Sequence, residues 1–104
     1  MVAPALPGLV PVDGAALAAF CRRHRVRTVR VFGSAVRGEL TPESDLDLLV
    51  EFEPGVDPDL LELGGMQQEL SELFSREVDL KVSEMFSPEN LRRIMSSSVI
   101  GYAA

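Results

Sequence analysis

The residues best placed to do chemistry in this chain are two aspartates, Asp45 and Asp47, in a segment that otherwise reads as an apolar strand. The run Ser44-Asp45-Leu46-Asp47-Leu48-Leu49-Val50-Glu51-Phe52 alternates polar and apolar residues, the pattern of a half-buried strand. Successive side chains of a strand point to opposite faces, so Asp45 and Asp47 share one face with their Cα atoms about 6.5–7 Å apart. Two like charges that close cost free energy, which is offset by raising one pKa or by a cation held between them. Hard carboxylate oxygens suit Mg²⁺, which takes one or two carboxylates and fills its other positions with water and substrate phosphate. Read alone, an Asp-x-Asp fits better as the solvent face of an edge strand, with Asp45 ending a turn.

The residues upstream change that balance. Val29, Val31 and Phe32 read as a strand that breaks at Gly33-Ser34 and enters a short helical stretch before Gly38. Glycine lets backbone approach a ligand closely, and a helix N-terminus offers unpaired N–H groups to anions such as phosphate. Ser34 adds a hydroxyl, although a plain strand-to-helix turn capped by Ser34 accounts for the same residues. No Lys and Ser or Thr follow Gly38 to make a Walker A loop, and there is no G-x-G-x-x-G fingerprint. An anion cradle beside paired carboxylates points to a nucleoside triphosphate with its metal.

The arrangement Gly33, Ser34, then Asp45 and Asp47 resembles the signature of the DNA polymerase beta-like nucleotidyltransferases. The wording GSAVRGELTPESDLDLLVEF is most similar to their smallest branch, the minimal nucleotidyltransferases, and the likeness spans residues 14 to 102. It implies that Gly33 and Ser34 hold the β- and γ-phosphates, that Arg37 belongs with this nucleotide-binding set, and that Asp45 and Asp47 bind two Mg²⁺ ions. It also implies a third carboxylate on a later strand, and Asp79 in Glu77-Val78-Asp79-Leu80-Lys81-Val82 matches it. Val36 departs from the smaller residue that many members carry before Arg-Gly. By the same resemblance the substrate is ATP, and the branch contains antitoxins that silence a neighbouring HEPN-domain ribonuclease toxin by attaching AMP to a tyrosine. A hetero-oligomer with such a toxin is therefore an expectation, and two rivals remain: an antitoxin that only occludes its partner, and a nucleotide sensor.

Composition sets the bounds. A chain of 104 residues with 46% hydrophobic content supports one small domain. The division expected is an N-terminal tail over 1–12 and a nucleotidyltransferase domain over 13–104. A net charge of −6 argues against general nucleic-acid binding. Six of the ten basic residues nonetheless fall at Arg22, Arg23, Arg25, Arg27, Arg30 and Arg37. They could steer a triphosphate or simply solvate a helix end. A single cysteine, Cys21, excludes an internal disulfide and suits a reducing, cytoplasmic compartment. His24 has no partner at zinc spacing, no apolar run is long enough to span a membrane, and the proline-interrupted N-terminus lacks the basic start of a signal peptide.

The periodicity predicts helices over 14–24, 34–38, 58–74 and from Pro88, and strands over 27–32, 45–52, 77–82 and 99–102. Asp13, Asp57 and Ser87 serve as expected caps. In the third helix, Leu60, Leu61, Leu63, Leu70, Leu73 and Phe74 are expected on the core side, with a kink or fraying at Gly64-Gly65. In the last helix, Leu91, Ile94 and Met95 are expected to face inward. The order gives an α/β (α+β) domain of the polymerase beta-like type, a small mixed sheet with helices mainly on one face.

Overall fold

The computed structural model describes residues 12–41 and 43–103. The expected tail over 1–12 lies outside the described residues except for Val12. Three α-helices, α1 (Gly14–His24), α2 (Leu60–Phe74) and α3 (Pro88–Ser97), accompany four strands, β1 (Val26–Phe32), β2 (Leu46–Phe52), β3 (Val78–Val82) and β4 (Val99–Ala103). Short 3₁₀ turns at Gly33–Ala35 and Ser83–Met85 follow β1 and β3.

The strands form one sheet in the order β3-β2-β1-β4. β1 pairs antiparallel with both β2 and β4, whereas β2 and β3 run parallel. A parallel pair needs a crossover rather than a hairpin, and α2 supplies it. That connection brings Asp47 and Asp79, 32 positions apart in the sequence, side by side in the ladder.

One face of the sheet is apolar by the period-2 pattern. Val29, Val31, Leu46, Leu48, Val50, Val78 and Leu80 pack there against Leu17, Phe20 and Cys21 of α1 and Met66, Leu70 and Phe74 of α2. Burying each of the larger side chains contributes roughly 1.5–3 kcal/mol before entropy is counted. The other face carries Arg30, Phe32, Asp47, Glu51, Asp79 and Lys81. The segments flanking α3 reach it: the Arg30 guanidinium donates to Ser98 Oγ, and Phe32 meets Phe86 edge to face.

The caps follow the sequence closely. Asp13 accepts from the Ala15 and Ala16 amides, and Ser87 accepts from Asn90 with Pro88 in the first turn. The third helix starts later than expected, because Asp59 rather than Asp57 is its cap. Asp59 takes the Glu62 amide while the Glu62 side chain takes the Asp59 amide, a reciprocal box that fixes the phase. Leu60 and Leu61, expected inward, stand 83% and 86% exposed: Leu60 sits in the first turn and Leu61 is about half a turn round the helix from Leu70, so the core position is filled by Met66. α2 runs unbroken through Gly64 and Gly65, both on its exposed side, so the expected interruption does not occur. α3 buries none of its residues fully; Leu91, Ile94 and Met95 are half-buried.

Cys21 is fully buried on the core side of α1, and burial pushes its thiol up to about 12. A thiol reagent at pH 8 is expected to leave the native protein unlabelled and to titrate one thiol per chain in urea. Rapid labelling without denaturant would show that α1 does not pack as described.

Candidate active site

The break after β1 is the first element of the site. Gly33 has φ +75°, a left-handed conformation that favours glycine, and it turns the chain out of the sheet. Phe32 pairs with Asp47 across the β1–β2 ladder, which carries the Gly33 backbone onto the Asp47 carboxylate. A Cβ added at Gly33 would overlap Asp47 Oδ2 and stand 3.2 Å from its Cγ. Glycine is therefore required here twice, by its dihedral and by this close approach.

Ser34 lies in the 3₁₀ turn, and its carbonyl accepts from the Glu39 amide at 2.9 Å. The turn has no side-chain cap, and its N-cap position is Phe32, so Ser34 does not play the helix-cap role that its sequence position allowed. Among the described residues its hydroxyl makes no hydrogen bond and remains available at the mouth of the turn. Ser34→Ala is accordingly expected to change stability by less than about 0.5 kcal/mol. The same variant should weaken triphosphate binding several-fold. A loss of melting temperature with unchanged nucleotide affinity would return Ser34 to a purely structural role.

Asp45 and Asp47 flank Leu46 at the start of β2, with Asp45 exposed and Asp47 half-buried. Arg76 holds the loop that delivers Asp45: its Nη1 donates to the carbonyls of Thr41 and Ser44 at 3.1 and 3.3 Å. The Leu46 amide donates to the Glu77 carbonyl at 2.9 Å, tying the start of β2 to the start of β3. Sequence reasoning missed Arg76, since an arginine just before a strand carries no signal that it will bridge to a loop thirty residues earlier.

Asp79 is the in-register neighbour of Asp47, so the two carboxylates share the site face on adjacent strands about 4.8 Å apart in the backbone. Burial first, and then the charge of Asp79, raise the Asp47 pKa; Lys81 pulls it back, Asp45 adds to the rise, and Arg37 lowers it. Lys81 Nζ lies 3.1 Å from Asp79 Oδ1. Among the described residues no three acidic, histidine or cysteine groups are yet drawn together tightly enough to enclose an ion. The donor chemistry nonetheless fits Mg²⁺: Asp45, Asp47 and Asp79 are hard carboxylates on neighbouring strands β2 and β3, and the charge of Asp79 bears on Asp47.

Of the two readings of the arginine run, the helix end describes Arg22 and Arg23, which lie in the last turn of α1. β1 is seven residues long, and Arg22, Arg23 and Arg25 sit at the end opposite Gly33. Arg23 and His24 meet Glu69, and Arg30 meets Glu51. Arg37 alone stands beside the turn, exposed and bonded through Nε to Glu39 Oε1 at 2.8 Å. A hollow of about 280 Å³ lies among Arg27, Glu51, Glu53 and Glu84, away from the aspartates, and takes no part in the site.

A mixed sheet that sets aspartates side by side on two strands, against a Gly-Ser turn leaving a third, defines a nucleotidyltransferase. The model of the nucleotidyltransferase domain family matches residues 15–100, and the chain belongs to that family. It is 36% identical over 77 residues to a Methanocaldococcus jannaschii protein assigned as a protein adenylyltransferase, over 74% of this chain and 81% of the relative. It is 45% identical over 58 residues to the protein adenylyltransferase MntA of Thermococcus cleftensis, over 56% of this chain and 57% of the relative. A solved structure described as a minimal nucleotidyltransferase superposes with TM-score 0.68 at 36% identity, covering 82% of this chain and 84% of that one. One chain of the solved complex of a tri-AMPylated Shewanella oneidensis HEPN toxin with an MNT antitoxin has the same fold at TM-score 0.62 and 15% identity, covering 86% of this chain and 69% of that one. Among the described residues no helix is long and apolar enough to cross a membrane.

Proposed function

We propose that this nucleotidyltransferase moves AMP from ATP to a hydroxyl, a tyrosine, on a partner protein, and that the partner is a HEPN-domain toxin that it silences. The observation that carries the reading is the in-register pair Asp47 and Asp79 with the Gly33 backbone laid against Asp47. The relatives assigned as protein adenylyltransferases support it, as does the AMPylated toxin in the neighbouring structure.

Asp45, Asp47 and Asp79 would hold Mg²⁺, in a site suited to two ions, which neutralises phosphate charge as a Lewis acid when bound. Gly33, Ser34 and Arg37 bind and orient the triphosphate, with the amides of the turn and the Ser34 hydroxyl directed to its terminal phosphates. The acceptor oxygen attacks the α-phosphorus, the bond to the β-phosphate oxygen breaks, and pyrophosphate departs from the turn. Asp79, on the outer strand, takes up the acceptor's proton. ATP supply and a lone reduced cysteine agree with a cytoplasmic setting.

Incubation with ATP, Mg²⁺ and a candidate HEPN-domain partner, such as the product of a neighbouring gene, followed by intact mass spectrometry, tests this. The partner should gain the mass of AMP, and a partner of unchanged mass argues against transfer. One observation favours occlusion as the second reading. Leu60 and Met85 are strongly exposed apolar residues that line one shallow hollow with Leu63 and Leu80, and they suit a lasting protein contact.

A further inference from the structure

Lys81 stands two residues beyond Asp79 on the same face of β3. Its cross-strand neighbour is Leu49, which is fully buried. The lysine stem therefore starts on apolar ground while its ammonium reaches along the strand to Asp79. Its charge also acts on Asp47, more strongly than that of Arg37, which is bonded to Glu39. Among the described residues, no other cation is paired with Asp45, Asp47 or Asp79.

The pair has a cost for any ion that arrives. A divalent cation taking Asp79 must break the contact with Lys81 and must also enter the field of its positive charge. Conversely, without a bound ion the ammonium offsets the repulsion between Asp47 and Asp79, which the register forces together. We propose that Lys81 is the site's resident counter-ion: it holds Asp79 in the ion-free protein and yields it to a divalent cation, setting the concentration at which the site fills. This rests on the reading of the three aspartates as the ion site. It differs from a structural role for Lys81, which would leave cation affinity alone or reduce it.

The test is Mn²⁺ binding, without nucleotide, by electron paramagnetic resonance, together with melting of the ion-free protein at low salt. Lys81→Met should bind Mn²⁺ roughly three- to fivefold more tightly than the parent, the scale of a partly exposed ion pair. Its ion-free form should melt a few degrees lower, and Lys81→Arg should restore parental behaviour in both measurements. In an Asp79→Asn background, Lys81→Met should tighten binding by a smaller factor than in the parent, since only the field of the charge and not the broken ion pair remains. Lys81→Gln repeats the comparison if the methionine variant folds poorly. Equal or weaker Mn²⁺ binding by the neutral variants, with the parent binding normally, overturns the counter-ion role and leaves the aspartate site standing. If neither parent nor variants bind Mn²⁺, the aspartates are not an ion site and both readings fall.

Discussion

Asp47→Asn is expected to raise the melting temperature of the ion-free protein near neutral pH while removing most of the stabilisation that Mg-ATP gives the parent. The two effects have one cause. Asp47 is pressed on by burial, then by Asp79, and its pKa is raised. A carboxyl whose pKa is higher folded than unfolded favours the fold most at pH below its unfolded value, and that contribution is lost as pH rises through the folded value. At pH 7 the ionised carboxylate is thus a liability, which a neutral amide of nearly the same shape removes. After allowing for solvent screening at a half-buried site, the gain is about 0.5 kcal/mol, or roughly 2–4 °C for a domain of this size. It should vanish below about pH 4, where the parent carboxyl also becomes neutral. The ligand effect is larger: Mg-ATP at a hundredfold excess over Kd stabilises the parent by about 2.7 kcal/mol, and the variant should lose most of this. Scanning calorimetry with and without Mg-ATP reads both, and an equal ligand shift in parent and variant would remove Asp47 from the site.

Gly33→Val should be the most damaging exchange in the turn. The left-handed backbone alone costs a residue with a Cβ about 1–2 kcal/mol, and the added atom also lands on the Asp47 carboxylate. The strand end must shift or the carboxylate must turn away, so ATP affinity is expected to fall and the transfer rate to drop by about a hundredfold, since misplacement by an ångström has that scale in a catalytic site. Gly55→Ala separates the two causes, because Gly55 also has positive φ, +84°, but open space where its Cβ would stand. It should cost about the same backbone strain and leave ATP affinity unchanged. Calorimetric titration of ATP into both variants checks this, and equal affinity losses would mean that Gly33 acts through stability alone.

The strands and most caps were legible because each depends on a few neighbouring residues. Alternation in 45–52 and 77–82 fixed which aspartates share a face, and Asp13 and Ser87 announced their helices. Pairing across the sheet was not legible. That Asp79 stands in register with Asp47 depends on the length and phase of α2, and the sequence reached Asp79 only through the family resemblance. Two misreadings met in α2: its start, where the reciprocal bond to Glu62 decided for Asp59, and its facing, where Leu61 lies about half a turn round from Leu70 and cannot share its side. The arginine run left both its readings open for a related reason: closeness in sequence along a seven-residue strand separates side chains by roughly 20 Å. The contact of Lys81 with Asp79 is half-visible in the segment 77–82, because strand residues two apart share a face, but the ion pair itself follows only from the fold.

The proposed transfer of AMP to a protein partner is read from turnover. Trace protein is mixed with a large excess of the HEPN partner, ATP and Mg²⁺, and modified partner is counted by intact mass spectrometry. Many AMP-bearing partner molecules per enzyme are expected, and none with Asp45→Asn or Asp79→Asn. An unmodified partner that is inhibited only when the two proteins are equimolar would contradict transfer.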